Sequence, residues 1–117
     1  MHELSVCQAL LTQVENVARE RNASQVLSVS LGIGPLSGVE PALLSQAWPL
    51  AAAGTVADNA ELLIEERPVR VRCSQCGKDS DATANRLLCA HCGDWRTQLL
   101  SGDDLLLLQV ELETAYV

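Results

Sequence analysis

The chain has 117 residues, of which 48% are hydrophobic and only 3% aromatic, with no phenylalanine. This length fits one compact domain, or one small domain carrying a smaller insert. The formal net charge of −7 argues against a general nucleic-acid-binding protein, because such proteins carry clustered positive charge. No apolar run reaches the roughly 20 residues that span a bilayer, and the first residues lack a secretory signal pattern. We therefore expect a cytoplasmic protein that binds neither nucleic acid nor membrane.

The first predicted element is an amphipathic helix. Its apolar residues recur every three or four positions, and Asn22 is a suitable stop after Arg19 and Arg21. The apolar stripe consists of Leu4, Val6, Cys7, Leu10, Leu11, Val14, Val17 and Ala18. Alternation over residues 25–33 then predicts a half-buried strand that ends in a loop at 34–38. The inward-facing residues of this strand are expected to be Leu27, Val29, Leu31 and Ile33.

A second helix is predicted from Pro41 to about Gly54, because proline suits a first helical turn and glycine a helix end. Pro49 removes a backbone donor inside this segment, so we expect a kink or an early end near residues 46–48. Strand patterns follow at about residues 60–66, at 69–72 and at 105–113. In the last of these strands, the residues expected to face inward are Leu106, Leu108, Val110 and Leu112.

Four of the five cysteines form the pattern C-x2-C-x12-C-x2-C: Cys73, Cys76, Cys89 and Cys92. This spacing predicts a tetrahedral zinc site, and Gly77 and Gly93 supply the relaxed backbone that follows each pair. Four cysteines leave no open position for water, so the zinc is structural. The main alternative to zinc is iron in a rubredoxin-like site. A redox dithiol would explain only one of the two cysteine pairs. His91 could also replace one of the cysteines as a ligand.

The cysteine segment lies between strands that would pair in one sheet, so we expect it to be an insertion in an α/β domain. The predicted division places 1–67 and 99–117 in one discontinuous domain and 68–98 in a zinc-binding domain. Residues 67–98 carry a net charge of +3, which four zinc-bound thiolates lower to about +1. A zinc-ribbon module that binds protein or nucleic acid is the alternative function, and this low charge weakens its nucleic-acid form.

The fifth cysteine, Cys7, lies on the apolar stripe of the first helix. An enzyme that uses Cys7 as a nucleophile would need a nearby base and an electropositive setting. The chain has only two histidines, and the position favours a core residue. We therefore expect no enzymatic activity. The leucine-rich last strand is expected to be buried, although an exposed strand edge could pair with a second copy.

The chain opens with Met1-His2-Glu3, and a free amino group, backbone amides and an imidazole can form fused chelate rings. When the amide nitrogens lose their protons, these groups form a square-planar set of nitrogen ligands, which suits nickel(II) or copper(II). The chain combines this opening with three further motifs: Gly34 before Leu36-Ser37-Gly38-Val39, Pro68-Val69 before the cysteine pairs, and the run Ser101-Gly102-Asp103-Asp104-Leu105. Together these residues resemble the HypA/HybF family of hydrogenase nickel-incorporation proteins, and the resemblance covers essentially the whole chain.

The resemblance implies a nickel metallochaperone for maturation of [NiFe]-hydrogenase. It implies an α+β fold, with two helices packed on a three-stranded sheet and an inserted small zinc-ribbon-like domain. His2 would be the principal ligand of transient Ni(II), through its imidazole and backbone nitrogen. Glu3 would contribute its backbone amide, with its side chain tuning the site, and Met1 would add its amino group. The four cysteines would hold structural Zn(II). The implied partners are the GTPase HypB and the precursor of the hydrogenase large subunit.

Overall fold

The computed structural model describes residues 3–114 of the chain. Its elements, in order, are α1 (Glu3–Glu20), β1 (Ala23–Ile33), α2 (Pro41–Ala52), β2 (Glu61–Glu66), β3 (Val69–Cys73), β4 (Asp79–Ala82), β5 (Thr97–Ser101) and β6 (Leu105–Thr114). The strands form two three-stranded sheets, in the orders β2-β1-β6 and β4-β3-β5. The predicted α+β class, with two helices, a three-stranded sheet and a small inserted cysteine-bearing sheet, is confirmed.

The chain divides into two compact units, and both are discontinuous in sequence. The first comprises the chain up to Leu31, Val39–Glu65, and the chain from Leu106 onward. The second comprises Gly32–Gly38 and Glu66–Leu105. The domain boundaries expected after residues 67 and 98 remain a prediction. Within residues 3–114, neither helix is both long and apolar enough to cross a membrane.

Helix α1 buries one apolar stripe against the core of the first unit. The buried apolar residues are Cys7, Leu10, Leu11, Val14 and Ala18. Leu4 is 47% exposed, so its predicted burial is wrong; in the first turn the buried side chain is that of Glu3. The predicted stop is confirmed, because Asn22 adopts a φ of 53° and its N–H donates to the carbonyl of Arg19.

Helix α2 continues through Pro49 to Ala52, so the expected early end near residues 46–48 is wrong. Leu44, Trp48 and Ala52 recur every four residues and are almost fully buried, which holds the helix together across the proline. The Trp48 indole N–H also donates to the carbonyl of Ala60 at 3.2 Å.

The two long strands of the first sheet depart from simple alternation. Leu27 is 38% exposed, against prediction, and Val26 is buried instead. The Val26 N–H donates to the carbonyl of Val56, so the loop after α2 lies alongside β1 at this residue. In β6, Leu106 and Leu108 are exposed, also against prediction. The alternation of exposed and half-buried residues is interrupted at Leu108 and Gln109, which are both exposed, so the residues before this point face the opposite way from the prediction.

Candidate metal centre

The first cysteine pair lies at the end of β3. The Cys73 N–H donates to the carbonyl of Lys78, and the Gly77 N–H returns to the carbonyl of Cys73, both at 3.0 Å. Gly77 has a φ of 75°, which a residue with a side chain rarely adopts. The chain therefore reverses tightly enough to bring Cys76 beside Cys73.

The second pair repeats this turn outside any strand. The Cys89 N–H donates to the carbonyl of Asp94 at 3.0 Å, and the Gly93 N–H donates to the carbonyl of Cys89 at 2.9 Å. Gly93 has a φ of 76°, almost the same as its counterpart in the first turn. The two turns are thus equivalent knuckles, each presenting two sulfurs.

Backbone amides point at the first sulfur of each knuckle. The amides of Cys92 and His91 each lie 3.4 Å from the Cys89 sulfur and lower the pKa of that thiol to about 6. The Cys76 and Gln75 amides lower the pKa of Cys73 in the same way. The first sulfur of each pair is therefore prepared to carry negative charge.

The thiol pKa of the second cysteine in each pair is raised instead, because its sulfur faces the other thiolates. The Asp94 amide lowers the pKa of Cys92, but the Cys73 sulfur, burial and the remaining sulfurs raise it to about 12. The pKa of Cys76 is also raised. Four thiolates this close together repel one another, so full ionisation requires a bound cation.

The four sulfurs form one cluster, with all ligand atoms within 4.8 Å of one another. The Sγ atoms of Cys73 and Cys92 are 3.6 Å apart, and so are those of Cys76 and Cys89. Zinc–sulfur bonds of about 2.3 Å in a tetrahedron require sulfurs about 3.8 Å apart, so the arrangement fits zinc. A disulfide, at about 2.05 Å, does not fit, and all the cysteines are free thiols.

His91 lies beside this cluster without belonging to it. Its side chain is exposed, and Nε2 lies 3.3 Å from the carbonyl oxygen of Asp79. The cysteine quartet is complete without an imidazole. Nothing in this geometry calls for a nitrogen ligand.

Sequence reasoning missed the residues that hold the knuckles in place. Ser80, only 5% exposed, accepts the N–H of Ala90 in the second knuckle. The Ser74 hydroxyl donates to the carbonyl of Arg96, and the Thr97 hydroxyl donates to that of Leu87. Isolated serines and threonines in a polar segment carry no spacing signal, so only the fold reveals these roles.

The described residues include one member of the predicted nickel site. Glu3 begins α1, is 9% exposed, and has its Oε2 atom 3.4 Å from the backbone nitrogen of Glu40. Met1 and His2 lie outside the described residues. The sulfur of Cys7, one turn further along α1, is fully buried 3.6 Å from the carbonyl of Leu44. Burial and the nearby Glu3 charge raise the pKa of Cys7, which is the opposite of what a nucleophile needs.

Comparison with known proteins identifies the family. Residues 1–112 match the family model described as "Hydrogenase/urease nickel incorporation, metallochaperone, hypA". The chain belongs to the HypA family. The hydrogenase maturation factor HypA of Nitrosospira multiformis is 49% identical over 97% of this chain and 99% of its own length. The hydrogenase maturation factor HypA of Aquifex aeolicus is 47% identical over 97% of this chain and 98% of its own length.

Two solved HypA structures share the fold. One, a solution structure of HypA protein, has a TM-score of 0.76 at 26% identity and covers 98% of both chains. The Ni metallochaperone HypA of Helicobacter pylori has a TM-score of 0.73 at 24% identity, over 98% of this chain and 100% of its own. The resemblance inferred from sequence motifs is confirmed. This HypA family member is a hydrogenase maturation factor and nickel metallochaperone, with nickel as its cargo and a cysteine cluster that fits structural zinc.

Proposed function

We propose that this HypA family member binds Ni(II) at its amino terminus and delivers it during maturation of [NiFe]-hydrogenase. His2 is the principal ligand, through its imidazole and backbone nitrogen, and Glu3 and Met1 add the backbone amide and the amino group. The supporting observation is that the match to a nickel-incorporation family begins at residue 1 and so includes all three residues. Deprotonated amide, amine and imidazole nitrogens form the square-planar field that nickel(II) prefers.

Zinc has a separate and permanent role in this proposal. Cys73, Cys76, Cys89 and Cys92 hold one Zn(II) that stabilises the second unit, and all four coordination positions are filled. The two metals therefore use different chemistry: sulfur for the structural ion and nitrogen for the transferred one. A site at the first residues of the chain also allows a ligand exchange with an acceptor protein.

The partners in this proposal are the GTPase HypB and the precursor of the hydrogenase large subunit, which receives the metal. The protein itself catalyses no reaction and works in the cytoplasm. Its nickel-binding domain comprises residues 1–67 and 99–117, and its zinc-binding domain comprises residues 68–98. The family description supports a role in nickel incorporation, and the curated relatives are hydrogenase maturation factors.

The test is a nickel titration of protein with a native, untagged amino terminus. The chain has only two histidines, so His2→Ala and His91→Ala form a matched pair. We expect His2→Ala to lose nickel binding while keeping one zinc per chain, and His91→Ala to keep both metals. Unchanged nickel stoichiometry in His2→Ala would refute the assignment of the site.

A further inference from the structure

Helix α2 is apolar on its outer side as well as on the side that packs against the core. No residue of Pro41–Ala52 carries a charge, and the uncharged stretch continues to residue 57. A surface helix of a globular protein normally turns charged and polar residues toward solvent, and a helix that is hydrophobic all round is normally buried on every side. The outer side of α2 is instead exposed to solvent.

Two leucines carry most of this exposed apolar surface. Leu43 is 46% exposed and Leu50 is 77% exposed. They are seven residues apart, close to two helical turns, so they lie in one line about 10 Å apart along the helix axis. A single exposed leucine is common, but an aligned pair on an uncharged helix forms an apolar patch, and such patches mark interaction sites.

A pocket of about 170 Å³ opens beside the second half of α2. Its lining residues are Trp48, Pro49, Ala52, Asp58, Asn59 and Ala60. The exposed Asp58 carboxylate accepts the Gly54 N–H at 3.2 Å. Lysine and arginine side chains combine an apolar stem with a cationic head, which matches apolar walls with one carboxylate. Because Pro49 directly precedes Leu50, the pocket and the leucine pair adjoin on one surface.

The charge around α2 is negative. The first compact unit, which contains α2, has nine acidic residues and two arginines, a net charge of −7, with histidine and the thiols counted as neutral. The second unit has six residues of each sign. Two copies of so acidic a unit repel one another, and so do this unit and an anionic lipid surface. Charge complementarity therefore favours a basic protein partner.

We propose that the outer face of α2 docks a basic amphipathic segment of a partner protein. Apolar side chains of that segment cover Leu43 and Leu50, and a lysine or arginine enters the pocket beside Pro49 with its cationic head near Asp58. Apolar contact supplies the main binding energy, while charge selects the partner and speeds the encounter. This inference goes beyond the proposed function, because it assigns a docking surface and does not depend on where nickel binds.

The probe is a synthetic helical peptide with leucines at helical spacing along one face and lysines elsewhere. A control peptide has the same leucines, with glutamate in place of each lysine. Each peptide is titrated into zinc-bound, isotope-labelled, full-length protein without nickel. We expect saturable binding of the lysine peptide, with shifts of the amide signals of residues 41–60. The glutamate peptide should bind at least about tenfold more weakly, because like charges then face one another.

Substitutions test the two parts of the surface separately. Leu50→Ala should weaken binding of the lysine peptide about tenfold, as for an important interface residue. Leu63→Ala is the matched control, because Leu63 is 45% exposed on β2. Asp58→Asn keeps an oxygen for the Gly54 N–H but removes the charge, so binding should weaken about two- to fivefold and become less sensitive to salt. Glu113→Gln, at an exposed position of β6, controls for the lost charge.

The proposal is overturned if the two peptides bind equally, if the lysine peptide does not bind, or if the shifted signals lie outside residues 41–60. Equal effects of Leu50→Ala and Leu63→Ala would also overturn it. Self-association that Leu50→Ala abolishes, measured by analytical ultracentrifugation, would assign the face to a second copy and overturn the choice of partner. Leu43→Ala provides a second substitution on the same line, and zinc content and the thermal unfolding midpoint show that each variant is folded.

Discussion

A Cβ atom added to Gly34 would lie 2.1 Å from the carbonyl oxygen of Gly102. The two backbones touch because the Gly34 N–H donates to the carbonyl of Asp104 at 2.8 Å, and the Leu36 N–H donates to that of Gly102 at 2.7 Å. The Arg67 N–H donates to the carbonyl of Ile33, beside this contact. Three separate stretches of the second unit are thus held together at one point, where only glycine fits.

Gly34→Ala should therefore destabilise the second unit. The methyl group meets backbone atoms that cannot rotate away, so we expect a loss of about 1–3 kcal/mol or more in the free energy of unfolding. Gly38→Ala is the control, because a Cβ there meets nothing within 4 Å and only its φ of 80° is unfavourable. Urea denaturation of the zinc-bound proteins measures both losses. Equal losses would show that the contact with Gly102 does not matter.

Removing zinc should unfold one unit and spare the helices. The segment between the two knuckles has few apolar residues, so metal binding supplies most of its folding free energy. Both helices belong to the first unit. We expect chelation, or Cys89→Ser, to abolish amide protection in β3, β4 and β5 while the helical circular dichroism signal remains.

The control for zinc removal is Cys7→Ser, which alters a cysteine outside the cluster and should keep one zinc per chain. Persistent protection of the β4-β3-β5 sheet in zinc-free protein would contradict the prediction. Loss of the helical signal together with the sheet would show that the two units do not fold independently.

The two tryptophans offer a matched comparison of burial. Trp48 is 2% exposed and its indole N–H is bonded to the Ala60 carbonyl, whereas Trp95 is 74% exposed. Trp48→Ala should cost about 3–5 kcal/mol in the free energy of unfolding, because it leaves a large cavity. Trp95→Ala should change stability by no more than about 0.5 kcal/mol. Denaturant titrations followed by circular dichroism would measure both losses. Similar losses in the two variants would show that Trp48 contributes no more to the core than Trp95 does.

Cys7 should resist thiol reagents at neutral pH. Burial raises its pKa, so it remains a neutral thiol where a free cysteine, with a pKa of about 8.5, begins to ionise. Because the folded pKa lies above the unfolded one, the stabilising contribution of the neutral thiol is present below about pH 8.5 and is lost as the pH rises through the folded value.

The measurement for Cys7 is alkylation of the zinc-bound protein, followed by mass spectrometry of its peptides. The expected product carries no label on Cys7 at pH 7, and the residue is labelled readily only after unfolding. Rapid labelling of the native protein at pH 7 would show an accessible thiolate and reopen the possibility of a reactive cysteine.

Predictions from local sequence patterns were wrong where the outcome depended on more than the neighbouring residues. Leu106 and Leu108 fit an alternating strand, yet both are exposed, because β6 changes phase and alternation cannot show where that happens. Pro49 correctly signals a missing backbone donor, but the buried Trp48 and Ala52 hold the helix together around it. At Pro49, tertiary packing outweighed a local preference.

The amino-acid sequence by itself determined the features that arise from short spacings: the apolar stripe of α1, its stop at Asn22 and the paired cysteine knuckles. These follow from helical periodicity, turn chemistry and ligand spacing, all of which act over a few residues. Only the tertiary structure decided that Glu3 reaches Glu40 and that Gly34 touches Gly102. Such contacts join segments far apart in sequence, and they depend on how whole elements pack, which local residue patterns do not encode.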